Sequence, residues 1–215
     1  MELIIKRLTK ELKSDFFDFF DNRAFTDGSP YYPCYCDAYY LTPEEVLTVT
    51  DRRAEELGGG KEGLRIALRE SSERLIDGGI MQGYLAFDGD TAIGWCNAND
   101  RTNFTRAGDL NPAIRREGDV YFDGGILGEV KSVVCFEVAP EYRGKGVAKA
   151  LLERVLKDAE ADGYKFAEVY PKISEGFSAL DFTGPMRMYQ NAGFEETARS
   201  RKTAIMRKVL NGDGK

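Results

Sequence analysis

Apolar runs of strand length recur along the chain and predict a sheet, because about four to eight apolar or alternating positions are typical of a buried strand. The predicted strands cover 3–8, 80–88, 91–97, 129–138, 166–170 and 194–209, the last as one long strand or two short ones. Apolar residues at helical spacing lie between them. The predicted helices begin near residues 14, 42, 61, 147 and 183.

The helix that begins near residue 42 has the clearest local signal. Thr42 provides a cap, Pro43 occupies the first helical position, and Glu45 stands where a capping box requires it. Three glycines at 58–60 end this helix. The order β-α-α-α-β-β-β-α-β-α-β predicts the α+β fold class. Residues 98–128 are polar and glycine-rich, which predicts a long loop that covers a site.

The composition narrows the classes of function. The chain has 215 residues, 42% of them hydrophobic, which is enough for a real core. A net charge of −6 makes binding to nucleic acid or to an anionic membrane unfavourable, so neither is expected as a partner. We find neither a signal peptide nor an apolar run of membrane-spanning length, and therefore expect a cytoplasmic protein with reduced thiols.

Cysteine and histidine usage limits the chemistry. The four cysteines are at 34, 36, 96 and 135, and the chain has no histidine. A structural zinc site would need all four thiols to converge, so semi-buried thiols are the favoured interpretation and no metal is expected. Without histidine, a Ser/His or Cys/His catalytic unit is excluded, and protons must move through other side chains or water.

A glycine loop at 143–148 stands between the apolar run Val133–Val138 and the amphipathic run Val147–Ala159. Strand, glycine loop and helix form a local design for holding phosphates, because glycine lets the backbone approach an anion and the helix N-terminus faces it. Arg143 and Lys145 add positive charge at the same place. The plain alternative is a tight turn before a surface helix.

Two familiar phosphate loops do not fit this stretch. A Walker A loop needs a Lys-Ser/Thr pair, and the third glycine of a dinucleotide-binding fingerprint is replaced here by Lys149. Instead, Arg143, Gly146 and Ala148 fill the pattern Arg/Gln-x-x-Gly-x-Gly/Ala. This stretch resembles the pyrophosphate loop of the GNAT superfamily of acetyl-CoA-dependent N-acetyltransferases. Downstream, 188–194 (Met-Tyr-Gln-Asn-Ala-Gly-Phe) is similar to a second segment of that family.

The resemblance covers about residues 80–209 and implies a mixed, bent sheet with helices on both faces. It also implies a single domain, 1–215, with a helical and tyrosine-rich insertion at about 27–60. The implied co-substrate is acetyl-CoA, with its pantetheine arm against the end of the strand that precedes the loop. The implied cofactor-binding residues are Phe136, Val138, Arg143, Gly144, Lys145, Gly146, Val147 and Ala148.

The resemblance further implies that Tyr189 is the general acid that protonates the leaving thiolate, although a core tyrosine is the plain alternative. Glu137 interrupts the apolar strand before the loop and is the candidate general base. Asp181, Asp123 or a water molecule remain alternatives.

Acceptor recognition is expected in the tyrosine-rich segment. Its five tyrosines either hold a cationic amine by cation–π contact or pack on the sheet. They are Tyr31, Tyr32, Tyr35, Tyr39 and Tyr40. Trp95 and Cys96 lie on a predicted core strand and are assigned packing roles.

The resemblance favours an N-acetyltransferase that moves acetyl from acetyl-CoA to the primary amine of a small molecule by direct attack in a ternary complex. Three alternatives stay open: a protein or peptide acetyltransferase, a non-catalytic acyl-CoA-binding module, and an unrelated nucleotide-binding protein. A homodimer formed through the insertion also stays open.

Overall fold

A computed structural model describes residues 3–105, 129–173, 181–199 and 203–210. Its strands are β1 (Leu3–Arg7), β2 (Gly83–Asp88), β3 (Thr91–Asp100), β4 (Val130–Val138), β5 (Phe166–Val169), β6 (Glu195–Arg199) and β7 (Ala204–Val209). They form one seven-stranded sheet in the order β1-β2-β3-β4-β5-β7-β6. All neighbours are antiparallel except β4 and β5, which run parallel. The predicted α+β class is confirmed.

The helices lie where the apolar spacing places them. They are α1 (Lys13–Asn22), α2 (Pro43–Glu45), α3 (Arg53–Glu56), α4 (Gly60–Asp77), α5 (Val147–Ala161) and α6 (Met186–Asn191). A π-helical stretch, Val46–Arg52, joins α2 to α3. The capping box at Thr42 is present, with the Thr42 side chain accepting from the Glu45 N–H. In the described ranges, no helix is both long and apolar enough to cross a membrane.

Two strand boundaries differ from the sequence prediction. The strand expected from residue 80 begins at Gly83, because the backbone N–H groups of Ile80 and Met81 both donate to the Leu75 carbonyl and close the end of α4. β3 continues to Asp100 rather than ending at 97. Of the long loop expected at 98–128, residues 106–128 lie outside the described ranges.

Apolar clusters cover both faces of the sheet. On the α1 face, which α1, α4 and residues 31–40 cover, the core includes Phe16 and Trp95. On the α5 face, which α5 and α6 cover, it includes Cys96 and Leu151. Trp95 and Cys96 are both fully buried, so their predicted packing roles are confirmed.

β4 extends beyond its neighbour β5. The pairing runs from Val130 with Phe166 to Val133 with Val169, where β5 ends, whereas β4 continues to Val138. The same four residues of β5 pair with β7 on the other side. The carboxyl end of β4 therefore lies beside a gap in the sheet, and the glycine loop and α6 border that gap.

Candidate active site

A β-bulge sets which way the end of β4 points its side chains. Asn97 pairs with Cys135 but Ala98 pairs with Val133, so Val134 is an extra residue in β4. Val134 and Cys135 consequently both pack on the α1 face. Phe136 and Val138 then pack on the α5 face, which turns Glu137 toward the α1 face.

A cleft of about 310 Å³ occupies the gap beside β4. One wall is the end of β4 with the glycine loop, and the opposite wall is the chain that leads into α6. The cleft is lined on these walls by Phe136, Glu137, Val138, Arg143, Gly144, Gly146, Val147, Ala148, Asp181, Phe182, Gly184, Pro185 and Met188. All the predicted cofactor-binding residues except Lys145 lie at this one cleft.

The backbone of the glycine loop has the geometry that the sequence predicts. Gly144 and Gly146 have φ of 74° and 86°, a region that only glycine adopts without strain. Gly146 is the N-cap of α5. A Cβ at either glycine would meet nothing within 4 Å, so space remains in front of the loop. The first N–H groups of α5, at Val147 and Ala148, have no acceptor within the helix and are available to an anion.

The cations near the loop have different surroundings. The Lys145 ammonium lies 5.3 Å from the centre of the Tyr142 ring. Lys149, 71% exposed, pairs with Glu153 at 3.4 Å. The Arg143 guanidinium turns away from the helix end and toward the α1 face.

Arg143 has three partners there. It donates to the Asp27 carboxylate, to the Val138 carbonyl (3.0 Å) and to the Glu137 carboxylate (3.1 Å). Its side chain therefore joins Asp27, which precedes the tyrosine-rich segment, to the end of β4. An ionic role for Arg143 toward phosphate stays a prediction.

Glu137 is a half-buried carboxyl at the junction of the site. Its side chain is 12% exposed. Burial raises the pKa of Glu137 to about 7, although the Arg143 charge and hydrogen bond act in the opposite direction. A carboxyl with such a pKa can accept a proton near neutral pH.

Tyr189 is fully buried on α6, and its ring packs against Phe194 at a centroid distance of 5.6 Å. Its hydroxyl donates to the Thr183 carbonyl. Burial raises the pKa of this phenol well above its usual value, so it remains protonated. The hydroxyl lies directly behind the cleft wall, since a Cβ at Gly184 would be 2.8 Å from it.

Of the two alternative carboxylate bases, the structure describes Asp181 but not Asp123. Asp181 lines the cleft and its carboxylate lies 3.5 Å from the Lys172 ammonium. Asp123 lies outside the described residues.

A second cavity, of about 290 Å³, lies beneath the tyrosine-rich segment. It shares Tyr31, Glu137 and Phe182 with the cleft, so the two spaces meet at these side chains. Tyr31 and Tyr39 line the second cavity. The remaining tyrosines of the segment make other contacts.

Those contacts agree partly with each interpretation of the segment. Tyr35 is buried and donates to Asp21, and Tyr40 is buried and donates to Asn97 at 2.6 Å. Tyr32 faces the Lys61 ammonium at 4.6 Å from its ring centre. Tyr40 thus packs against the sheet and Tyr35 against α1, whereas Tyr31 and Tyr39 line a cavity.

Three of the four thiols lie at the second cavity. Cys34, Cys36 and Cys135 line it, with 3.5 Å between the sulfurs of Cys36 and Cys135, whereas Cys96 packs on the opposite face. The contact with Cys135 and burial raise the pKa of Cys36 well above its usual value. The described residues include no group of three or more acidic or thiol side chains arranged to hold a metal ion.

Sequence reasoning missed two residues of the site. Asp27 is 116 positions from Arg143, and no local pattern pairs them. Phe182 closes the boundary between the two spaces, and its carbonyl accepts from the Phe136 N–H at 2.6 Å. One signal in the sequence pointed to the Arg143 contact: Glu137 interrupts an apolar strand, and a carboxylate in such a position indicates a nearby cation.

Known proteins resemble this chain at the level of family and fold. A family model described as "Acetyltransferase (GNAT) family" matches residues 50–182. An N-acetyltransferase from Staphylococcus aureus Mu50 superposes with a TM-score of 0.52 at 15% identity, covering 98% of this chain and 100% of that one. No curated protein matches.

Two further structures extend the comparison of folds. The PaiA N-acetyltransferase from Thermoplasma acidophilum, solved in complex with coenzyme A, has a TM-score of 0.52 at 14% identity, covering 97% of this chain and 99% of that one. The ribosomal-protein-S18-alanine N-acetyltransferase from Escherichia coli has a TM-score of 0.50 at 10% identity, covering 99% and 97%. At these identities the likeness concerns the fold alone.

Proposed function

Because the chain belongs to the acetyltransferase (GNAT) family, we propose that it moves the acetyl group of acetyl-CoA to the primary amine of a small molecule, by direct attack in a ternary complex. One observation carries this proposal: a single cleft joins the glycine loop at the start of α5 to the half-buried Glu137 at the end of β4. Membership of the family removes the unrelated nucleotide-binding protein from the alternatives.

The residues around the cleft fit acetyl-CoA. Gly144, Gly146, Val147 and Ala148 offer backbone N–H groups to the pyrophosphate, and open space lies in front of both glycines. Phe136 and Val138 border the gap beyond the end of β5, which suits an extended pantetheine arm. Pairing of the arm with this edge requires the Phe136 N–H to exchange the Phe182 carbonyl, or the Val138 carbonyl to exchange Arg143, for the arm. When bound, acetyl-CoA supplies an acyl group activated as a thioester.

Glu137 accepts the proton that the attacking amine must lose. Its raised pKa makes it a stronger base than an exposed carboxylate, and Arg143 holds it in place. Tyr189 is proposed as the donor of a proton to the leaving sulfur. This role requires its hydroxyl to exchange the Thr183 carbonyl for the thiolate, and the family match ends at residue 182, before Tyr189.

Direct transfer is favoured over a covalent acyl-enzyme. Burial is the main cause that raises the pKa of Cys96 above its usual range, and it also contributes to the raised pKa values of Cys34 and Cys36. For Cys135 the lowering effect of Cys36 is outweighed by burial and nearby charges, so its pKa is raised too. Protonated thiols are poor nucleophiles.

Two alternatives share the fold. A protein or peptide acetyltransferase needs an open groove for the acceptor chain, whereas the cavity beside Glu137 lies beneath the tyrosine-rich segment. A non-catalytic acyl-CoA-binding module would use the same cleft without turnover. An assay for acetyl transfer to amines distinguishes this non-catalytic module from an enzyme.

The first experiment is calorimetric titration of acetyl-CoA into wild type and Gly146→Glu. The glutamate places bulk and negative charge in the phosphate cradle, so we expect micromolar binding to wild type and a loss of about 100-fold or more in the variant. Gly163→Glu is the matched control, because Gly163 has a φ of 83° and open surroundings but lies beyond the other end of α5.

Three results would contradict the proposal. Absence of acetyl-CoA binding to folded wild type would reject the cofactor site, and equal loss in both variants would mean that strain rather than the cradle is responsible. Binding without acetyl transfer to any amine would leave the non-catalytic module as the function.

A further inference from the structure

The second cavity is suited to hold the acceptor, because the Glu137 carboxyl lines both this cavity and the cleft. Glu137 belongs to the walls of both spaces. The other shared residues, Tyr31 and Phe182, contact each other edge to face, with ring centres 5.4 Å apart. A group in the cleft and a group in the cavity can therefore meet beside Glu137 and this ring pair.

The walls of the cavity are almost entirely apolar. Five aromatic rings contribute to them, together with thiols, aliphatic side chains and the carboxyls of Asp37 and Glu137. The rings are those of Phe20, Phe25, Tyr31, Tyr39 and Phe182. The Tyr39 hydroxyl is already engaged, since it donates to the Val134 carbonyl at 3.2 Å.

This lining disfavours polar acceptors. A peptide backbone placed there would lose its hydration without gaining hydrogen-bond partners from the rings. A second ammonium group would meet ring faces and the buried Asp37 carboxyl, so a polyamine is the stringent comparison for this lining. An apolar ring would instead gain burial and edge-to-face contacts. A volume of about 290 Å³ also suits a small molecule rather than a protein segment.

Asp37 also borders the cavity, but it is 2% exposed. Burial raises the pKa of its carboxyl to about 6, and the Ser71 hydroxyl of α4 acts on it in the opposite direction. Glu137 is the carboxyl common to both spaces, so the reacting nitrogen belongs at Glu137.

We propose that this cavity selects arylalkylamines: primary amines joined by a short linker to an aromatic group, with the ring among Phe20, Phe25 and Tyr39 and the nitrogen at Glu137. The inference rests on the proposed acetyl transfer and adds its substrate class. The amine nitrogen forms a bond to the acyl carbon as the carbon–sulfur bond breaks. One amine proton passes to Glu137, and the sulfur leaves as the thiol of coenzyme A after gaining a proton.

The test compares amines with wild-type enzyme by following release of the coenzyme A thiol. The panel contains 2-phenylethylamine and tryptamine as arylalkylamines, spermidine as a polyamine, and a lysine-containing peptide. We expect kcat/KM for the better arylalkylamine to exceed that for spermidine and for the peptide by about tenfold or more. Preference for spermidine or the peptide would overturn the inference.

Two variants change the size of the cavity. Ala38→Phe fills it, because Ala38 is a half-buried wall residue, and should raise KM for arylalkylamines about tenfold. Leu68→Ala enlarges it from α4 and should shift preference from 2-phenylethylamine toward tryptamine. The matched control is Ala161→Phe, at an exposed position near the end of α5, which should change neither value.

Acetyl-CoA titration separates this inference from the proposed function. If acetyl-CoA binds with equal affinity to wild type and both cavity variants while the amine preferences shift as stated, the inference holds. If acetyl-CoA binds and other amines are acetylated with no response to either variant, the acceptor inference fails and the proposed function stands. If wild type does not bind acetyl-CoA, the proposed function fails first.

Discussion

At the scale of single residues, Glu137 derives its chemistry from its surroundings. An exposed glutamate is a weak base at neutral pH, because its pKa lies near 4.3. Burial at the end of β4 raises the pKa of Glu137 to about 7, and Arg143 at 3.1 Å limits the rise. The same arginine fixes the orientation of the carboxyl toward the two spaces.

Replacing Glu137 by glutamine should lower kcat about 100-fold, because the carboxyl that accepts the amine proton is removed. Glu137 is the base only when it is ionised, so in wild type kcat should rise as the pH increases through about 7. This rise of kcat with pH should disappear in Glu137→Gln. The measurement is a pH profile of kcat for both proteins.

The exposed Glu141, four residues along, provides the control Glu141→Gln. This control should retain the wild-type kcat and its rise near pH 7. If Glu137→Gln also keeps them, with acetyl-CoA affinity unchanged, then Asp181 or water is the base.

Replacing Tyr189 by phenylalanine distinguishes a proton donor from a packing residue. If the phenol protonates the thiolate, kcat should fall about 100-fold at unchanged acetyl-CoA affinity. If it only binds the Thr183 carbonyl, the free energy of unfolding should fall by about 1 kcal/mol and kcat should persist. Both quantities are measured on the same samples, with Tyr164→Phe, at the opposite end of the sheet, as the control.

At the scale of elements, the position of α5 determines the phosphate cradle, and Gly94 of β3 sets that position. A Cβ at Gly94 would lie 2.9 Å from the Cγ1 of Val147, the first residue of α5. The missing side chain lets the first turn of the helix rest directly on the sheet. The cradle thus depends on a strand that does not contact acetyl-CoA in the proposed complex.

Gly94→Val should therefore weaken acetyl-CoA binding without touching the cleft. Overpacking against Val147 costs about 1–3 kcal/mol, and moving the first turn of α5 should raise the Kd about tenfold. Calorimetry and thermal unfolding measure the two effects. Thr91→Val, at the exposed start of the same strand, is the control. A loss of stability with an unchanged Kd would contradict this account of the cradle.

An ion pair holds the start of the tyrosine-rich segment in place. Asp27, four residues before Tyr31, binds Arg143, which follows β4, so the start of the tyrosine-rich segment is tied to the end of this strand. The Arg143 side chain is only 21% exposed at this contact. Its observed contacts are with Asp27 and Glu137, so it holds these two carboxylates near each other.

At the scale of the whole molecule, the sheet separates two packing layers and the site joins them. The glycine loop and α6 belong to the α5 face, whereas Tyr31 and the second cavity belong to the α1 face. The gap between β4 and β5 is the place where a group on one face can reach a group on the other. A reaction between two substrates requires such a passage.

Charge is also distributed unevenly over the molecule. The chain carries a net charge of −6, yet Lys145 and Lys149 lie at the start of α5, whereas the nearby Arg143 is paired with Asp27 and Glu137. Positive charge at a helix N-terminus favours an anionic ligand there despite an acidic whole. The net charge of the chain therefore does not describe the local charge at the cleft.

The helix and strand periods, the capping box at Thr42 and the positive φ of Gly144 and Gly146 were determined by the sequence alone. The physical reason is that each depends on residues within about one or two turns of the chain, so a local pattern contains all the interactions involved. The glycine loop also carried enough local information to indicate the family. Strand limits were less predictable, since Gly83 begins β2 only after the end of α4 has used the backbone of Ile80 and Met81.

Only the tertiary structure decided the chemistry of Glu137, the division of the tyrosines and the position of the Tyr189 hydroxyl. Two of these depend on groups that are distant in sequence: Asp27, which binds the Arg143 beside Glu137, and Asn97, which binds Tyr40. The contact of Tyr189 with Thr183 spans only six residues, but it depends on how the turn before α6 folds. A bulge of one residue in β4 turned Glu137 toward the α1 face, and no periodic pattern reveals such a shift of register. Burial and long-range contacts act only once the chain has folded, and they set the pKa of Glu137.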